Sequence, residues 1–441
     1  MKGNGKLGTV LDKSENSPRA ARWKQVPIKE LYRGLFDGPH ATPKPADAGP
    51  VFLGIKNVTD DGQLDLADIR HIAEDDFSKW TRRVKPESGD LVFTYEATLN
   101  RYAIIPHGFR GCLGRRMALI RPDPRKVDTR FLLYYFFTDE WRAIIKKNML
   151  TGATVDRIPL TTFPDFPVTV PPLPIQRRIS GILSAYDDLI ENSQRRIGVL
   201  ERMARGLYRE WFVQFRFPGH ESVPLVASPL GDIPQGWEVR TVSEVVKRIP
   251  VGKKYDQKSA SVCGAVPILD QGKSGIIGFH DEPPGVTASE NCPVIVFANH
   301  TCYQRLIQFP FSAIQNVLPF IPNPLLSRDI YWLHWATDGL VAFNDYKGHW
   351  PEFEAKELIV PTASLCEGFG QIASAIAQQI FKLERKINAL RRTRDLLLPR
   401  LMSGELAVKT EQDEGVVVEC KRYTKPRLTA AAGCSPVTPP L

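Results

Sequence analysis

No stretch of this 441-residue sequence holds the run of about 18 apolar residues that a membrane-crossing helix requires, so a bilayer span is excluded. The opening MKGNGKLGTVLDKSENSPRA lacks the apolar core of a signal peptide, and a soluble, cytoplasmic chain is the expectation. The seven cysteines, Cys112, Cys263, Cys292, Cys302, Cys366, Cys420 and Cys434, include no Cys-x-x-Cys pair and no histidine at zinc spacing. They read as reduced thiols, and His300 beside Cys302 lacks the further ligands a metal would need. No P-loop lysine motif is present, and no cofactor is expected in this chain. Negative charge is in deficit, with 49 acidic residues against 58 Lys plus Arg and a net charge of +9, a balance that favours a polyanionic partner.

Three patterns imitate active sites, and each lacks its chemical context. Gly3-x-Gly5-x-x-Gly8 has the spacing of a dinucleotide loop, but no strand can precede it at this position. Asp345 with Glu354 and Lys356 resembles a nuclease carboxylate set, yet these residues flank GHWPEFEAKEL, which reads as a surface turn and helix. Glu282-Pro283-Pro284-Gly285 lacks the amide and the aromatic with which an adenine methyltransferase loop holds a flipped base.

What the sequence does contain is a duplication. IQRRISGILSAYDDLIENSQRRIGVLERMARGLYREWF places apolar or small residues at Ile179, Leu183, Tyr186, Ile190, Ser193, Ile197, Leu200, Ala204 and Leu207, in alternating steps of four and three. FGQIASAIAQQIFKLERKINALRRTRDLLLPRL repeats the series at Phe369, Ala373, Ile376, Ile380, Leu383, Ile387, Leu390, Arg394 and Leu397, each 190 residues on, as in 369 minus 179. Spacing of this kind builds a coiled-coil seam, because about 3.5 residues per turn keeps the stripe on one partner. The same stripe also suits the buried face of a bundle helix. Shared register favours pairing of the two helices, each about 50 Å long at roughly 1.5 Å per residue.

The segments before each helix repeat too. DLVFTYEATLNRYAIIP (90–106) aligns without a gap on VIVFANHTCYQRLIQFP (294–310), sharing Val-Phe, Arg101 with Arg305, and Pro106 with Pro310. Farther on, Arg121-Pro122-Asp123-Pro124 answers to Ile321-Pro322-Asn323-Pro324. Short apolar runs such as LVFTY, YAIIP, MALI, VIVFA and LIQFP suit strands. DTRFLLYYFFTDEWRAIIKKNM predicts one helix of roughly twenty residues. Prolines 167, 171, 172 and 174 mark the boundary before the first long helix, and the second is expected to stop after Pro399.

At these residues a family resemblance enters. PPLPIQRRISGILSAYDDLIENSQRRIGVLERMARGLYREWFVQFRFPG resembles the first shared helical region of specificity subunits of Type I restriction-modification systems, and LLLPRLMSGEL resembles the end of their second. Gln235-Gly236-Trp237-Glu238-Val239 is similar to the entry of their second target recognition domain. Two departures stand out: Cys366 occupies the place corresponding to Gln176, and residues 1–22 form an unplaced extension.

The resemblance implies an α+β fold with two tandem mixed α/β target recognition domains. Each is followed by a long helix, and the two helices pair as an antiparallel coiled coil. The implied divisions are an N-terminal extension (1–22), a first recognition domain (23–172), a first helix (173–213), a linker (214–235), a second recognition domain (236–365), a second helix (366–403) and a poorly ordered tail (404–441). The chain would be non-catalytic, reading a bipartite target in double-stranded DNA with one half-site per domain. It would dock two adenine methyltransferase subunits and work with ATP-dependent motor-nuclease subunits. A fused restriction-modification enzyme or nuclease, and a helical scaffold, are the competing readings.

Base reading calls for forked or amide hydrogen bonding among residues that neutralise phosphate. The candidates in the first domain are Tyr95, Asn100, Arg101 and Tyr102, followed by Arg110, Arg115 and Arg116 of the loop HGFRGCLGRR. In the second domain they are Asn299, His300, Tyr303, Gln304 and Arg305, with Lys253, Lys254 and Tyr255 upstream. Arg101 and Arg305 suit an internal ion pair or a phosphate contact as well as a base. Asn100 against Gln304 is the pairing that would discriminate between half-sites.

Overall fold

The computed structural model describes residues 23–152, 155–272, 275–344 and 347–408. The Gly3–Gly8 pattern, the N-terminal extension, Asp345, Cys420, Cys434 and most of the expected tail lie outside the described residues. The chain forms two compact units, one running to Ile190 and rejoined from Ala389 onward, the other Glu191–Asn388. No helix among the described residues is long and apolar enough to cross a membrane.

In the first unit the apolar runs become strands. β1 (Lys24–Pro27), β2 (Tyr32–Asp37), β3 (Ala46–Leu53), β4 (Arg70–His71), β5 (Leu91–Thr94), β6 (Tyr102–Ile104), β7 (Gly111–Leu113), β8 (Met117–Pro122) and β9 (Pro167–Val170) follow in order. An antiparallel sheet runs β2-β8-β5-β6, a second runs β4-β3-β7 with β3 and β7 parallel, and β1 pairs with β9. All four residues of β5 are buried, which is why LVFT is apolar without alternation.

The single aromatic helix that was expected is two, α1 (Thr129–Phe136) and α2 (Asp139–Asn148). Phe137 ends the first and Thr138 caps the second, its hydroxyl accepting the Trp141 N–H at 3.3 Å, with Asp139 and Glu140 in the following turn. Acid at a helix start after a threonine is the chemistry of a new N-terminus. These helices help supply the core, where Phe136 stacks on Trp141 at 4.6 Å and Phe93 of β5 stacks on Phe163 at 5.0 Å.

The second unit opens with a small hairpin, β10 (Leu225–Val226) and β11 (Ile233–Pro234). It continues with β12 (Glu238–Thr241), β13 (Val246–Arg248), β14 (Lys254–Tyr255), β15 (Val266–Leu269), β16 (Ile276–His280), β17 (Val294–Ala298), β18 (Gln304–Ile307), β19 (Ser312–Ile314), β20 (Val317–Pro322) and β21 (Glu357–Val360). The strand order β13-β20-β17-β18 reproduces β2-β8-β5-β6, and β19-β15-β16 reproduces β7-β3-β4, with β14 added at the edge. β12 pairs with β21 as β1 does with β9.

Two long helices leave these sheets. α3 (Leu173–Tyr208) ends in one π turn over Arg209–Val213. A shorter helix, α4 (Ile330–Thr337), precedes the second long one, α5 (Ala363–Met402). α5 ends three residues past Pro399, at Met402. Proline removes only a bond to the preceding turn, and the Ser403 N–H still reaches the Pro399 carbonyl at 3.0 Å before Gly404, at φ 74°, ends the helix. Every position of both stripes is buried or half-buried. Ile179, Leu183, Leu401 and Met402 join the core of the first unit, while Phe369 and Ala373 join that of the second.

The helix entries explain the Gln176 and Cys366 difference. Gln176 Oε1 accepts the backbone N–H of Asp128 at 2.9 Å, and its amide donates to the Pro171 carbonyl at 2.8 Å, tying α3 to the cap of α1. In the second unit Cys366 is fully buried, with its thiol beside Asp329, the cap of α4. One turn on, a Cβ at Gly370 would stand 2.3 Å from Asp329 Cγ. That carboxylate is fixed because it accepts the N–H groups of Tyr331 and Trp332 at 2.7 and 3.3 Å. Gly370→Ala is therefore expected to cost about 1–3 kcal/mol through the displaced cap, seen as a lower denaturant midpoint. An unchanged midpoint would show that Asp329 yields freely.

Candidate nucleic-acid interface

In the first unit the hairpin between β5 and β6 gathers most of the candidates. The Tyr95 N–H donates to the Arg116 carbonyl at 3.2 Å and the Thr94 N–H to the Arg101 carbonyl at 3.1 Å. These bonds bring the hairpin turn against the turn before β8. Asn100 and Arg116 both adopt left-handed backbone, at φ 62° and 70°. Arg101 folds back, its Nε 2.7 Å from Asp60 Oδ1 and its Nη1 donating to the Val58 carbonyl. Arg116 Nε stands 3.7 Å from Glu96, and Arg115 is exposed with no partner among the described residues.

Two first-unit candidates are engaged elsewhere. Tyr102 is fully buried, its hydroxyl accepting Trp141 Nε1–H at 2.9 Å and donating to Asn100 Oδ1 at 3.3 Å, so it is a core residue. Arg110 donates to Glu74 at 2.8 Å with its guanidinium 4.7 Å above the Phe77 ring. The hydrogen bond from Arg110 holds the Glu74 carboxyl below its ordinary range.

The second unit spends several candidates internally. Gln304 donates to the His334 carbonyl at 2.8 Å and accepts from the Thr337 hydroxyl at 3.0 Å, which consumes its amide and leaves it no free base-reading edge. Asn299 Oδ1 accepts the Trp350 N–H at 2.8 Å, and the His300 N–H donates to Gln271 Oε1 at 2.9 Å. The Arg305 guanidinium lies where a Cβ at Gly275 would meet Nη1 at 1.3 Å, and it is Nη1 that is buried without a hydrogen-bond partner. Tyr303 and Lys254 are exposed. Lys253 pairs with Glu282 at 2.8 Å, and Tyr255 donates to Glu282 at 3.0 Å while its ring stacks on His280 at 4.2 Å.

The gapless alignment across this hairpin does not hold. β5 and β17 match in register against β8 and β20, with Val92 opposite Leu119 and Val296 opposite Pro319. Their hairpin partners differ: Val92 faces Ala103, whereas Val296 faces Arg305. The second turn is thus two residues shorter, so Arg101 corresponds to Tyr303, Tyr102 to Gln304 and Asn100 to Cys302. The backbone agrees, since Cys302 is left-handed at φ 57° and the Ala298 N–H reaches the Tyr303 carbonyl at 2.8 Å. A slip of two preserves which face each side chain takes, so hydrophobic alternation could not expose it. The expected Asn100 and Gln304 contrast falls with it.

Residues 53–202 match the family model described as the Type I restriction modification DNA specificity domain. The Type I restriction enzyme MjaIX specificity subunit of Methanocaldococcus jannaschii is 23% identical over 363 residues, 77% of this chain and 82% of the relative. Over most of its length the chain is thus similar to Type I specificity subunits, and residues 53–202 carry the match to their DNA specificity domain. The EcoR124I/EcoR124II specificity subunit of Escherichia coli is 26% identical over 161 residues, 33% of this chain and 39% of its own length. The S subunit of a Type-I restriction-modification system from M. genitalium shares the fold, with a TM-score of 0.51 at 15% identity over 89% of this chain and 98% of that one. In this chain the matched stretch contains the whole β5–β8 cluster.

Sequence reasoning missed the residues that hold that cluster in place. Asp60, Asp37, Arg83 and, in the second unit, Gln271 come from segments distant in sequence. None carries a local signal, because their roles arise only when separate strands and loops meet.

Proposed function

We propose that this chain is a specificity subunit, a non-catalytic reader of a bipartite DNA target, with one half-site taken by each unit. The carrying observation is the repeated strand order, which gives one chain two copies of the same display surface with different turns upon it. Two related readers in one chain suit a target whose halves differ and two equivalent docking positions for adenine methyltransferase subunits. The two long helices would form an antiparallel coiled coil and share in that docking. In support, Asp187 of α3 meets Arg394 of α5 at 2.6 Å in the first unit, while in the second Phe212, just past α3, meets Phe369 early in α5 at 5.2 Å. ATP-driven translocation and cutting would belong to separate motor-nuclease subunits.

The test is to sequence methylated adenines in host DNA with and without this gene. One split motif is expected to vanish with the gene. An unchanged methylation pattern, or purified chain that methylates or cuts DNA alone, would overturn the reading. Binding by the assembled complex should also weaken steeply between about 50 and 200 mM salt, as phosphate contacts release counterions.

A further inference from the structure

One side-chain cluster of the first unit is built to present an arginine. The Gly38 N–H donates to the Met117 carbonyl at 2.8 Å, and a Cβ at Gly38 would stand 2.2 Å from the Gly114 carbonyl. Only glycine permits that approach, which sets Asp37, at the end of β2, against the turn carrying Arg115 and Arg116. Asp37 Oδ1 accepts from Arg83 Nη1 at 2.6 Å, and Asp37 Oδ2 lies 3.1 Å from His40 Nε2. Arg83 Nη1 also reaches the Gly38 carbonyl at 3.4 Å.

Nε and Nη2 of Arg83 have no partner among the described residues, and its side chain is 48% exposed. The buried Tyr95 hydroxyl beside it is likewise without a hydrogen-bond partner. Burial, followed by the charges of Asp37 and Glu96 and offset by those of Arg83 and Arg115, pushes the Tyr95 phenol up to about 12. It stays protonated and able to donate.

We propose that Arg83, oriented by Asp37, is a specificity-determining residue that reads the O6/N7 edge of a guanine in the half-site of the first unit, with Arg115 and Tyr95 flanking it. This rests on the DNA-reading function proposed above. Fixing Nη1 leaves the Nε and Nη2 hydrogens as one planar two-donor edge, which matches the paired acceptors of guanine in the major groove. A phosphate would also accept these donors, but it would use the charge without needing the orientation. Lysine could replace arginine there and cannot do so at a forked contact.

The experiment sequences methylated adenines in cells carrying the complete system with wild-type, Arg83→Lys, Arg83→Gln or Asp37→Asn subunit. One G·C position in one half-site should become degenerate in both Arg83 variants. Discrimination there should fall about tenfold or more, with the other half-site and the spacer unchanged. Asp37→Asn, which preserves shape, should relax the same position less. A wild-type half-site without G·C pairs, an unaltered motif in the variants, or methylation lowered uniformly at every site and restored by Arg83→Lys would each overturn the assignment. Should Arg83→Gln fail to accumulate, Asp37→Asn decides alone, and relaxation at any other position counts against the proposal. Loss of every split motif in the wild type would instead overturn the DNA-reading function itself.

Discussion

Phe369→Ala is expected to destabilise the second unit by about 3–5 kcal/mol, the range for truncating a fully buried aromatic ring. Phe369 is wholly inaccessible and sits against three rings, Phe212 at 5.2 Å, Trp211 at 6.1 Å and Tyr208 at 6.2 Å. Those rings belong to the end of α3 and its π turn, so the substitution empties the place where both long helices enter one core. The neighbours cannot collapse into the space easily, because Phe212 is also held by Trp237 at 5.9 Å. Amide exchange should accelerate by about two to four orders of magnitude within Glu191–Asn388. Protection of β5 and β8 in the first unit should persist, since that unit has its own aromatic core. Equal acceleration in both units, or a loss below about 1 kcal/mol, would remove Phe369 from its anchoring role.

The stripes containing Phe369 were legible because helical spacing is a one-dimensional signal: burial follows a period that the sequence displays directly. The strands were legible for a similar reason, and LVFTY and VIVFA both became central strands. Most of what failed depended on distant segments of the chain meeting. Thr138 and the acids after it form a helix start inside an unbroken apolar pattern, where periodicity outweighed the capping chemistry. The shared arginines looked equivalent, yet Arg101 meets Asp60 while Arg305 lies on Gly275. Their apparent match came from aligning across a turn whose two versions differ by two residues.

The candidate contacts divide along the same line. Exposed, unpaired Arg115 fits the expectation of a cation available to a polyanion, whereas Gln304 and Tyr102 looked polar in sequence but serve the interior. Both lie at corresponding hairpin positions and reach the helices behind them, Tyr102 to α2 and Gln304 to α4. A polar residue within an apolar strand therefore marked a buried hydrogen bond as readily as a ligand contact. Many of the remaining cations are held by carboxylates, as Arg110 is by Glu74 and Lys253 by Glu282. Phosphate would have to compete with these local acids, so charge counted along the sequence overstates the charge available.

Asp187→Ala is expected to cost about 3 kcal/mol, and the second unit shows how to separate that loss from simple loss of packing. In the first unit Asp187 of α3 accepts from the Tyr134 hydroxyl of α1 and, at 2.6 Å, from Arg394 of α5. The Arg394 side chain is only 20% exposed, so removing the carboxylate strands a largely desolvated cation and a buried phenol together. Asp395, which also accepts from Arg394 at 2.9 Å, holds the cost to the lower end of the range for a broken buried pair. At the corresponding places the second unit carries Trp335, Ala377 and Ala204, all buried or half-buried and none charged. Those three places can thus be uncharged, with Arg205 instead lying over the Trp335 ring at 5.5 Å. Asp187→Ala combined with Arg394→Met should accordingly be more stable than Asp187→Ala alone, because the stranded charge is gone. Denaturant unfolding of the two single variants and the double variant measures the coupling. If the double variant loses the sum of the two single losses, Asp187 and Arg394 act independently and the deficit in Asp187→Ala comes from the cavity rather than from the unpaired arginine.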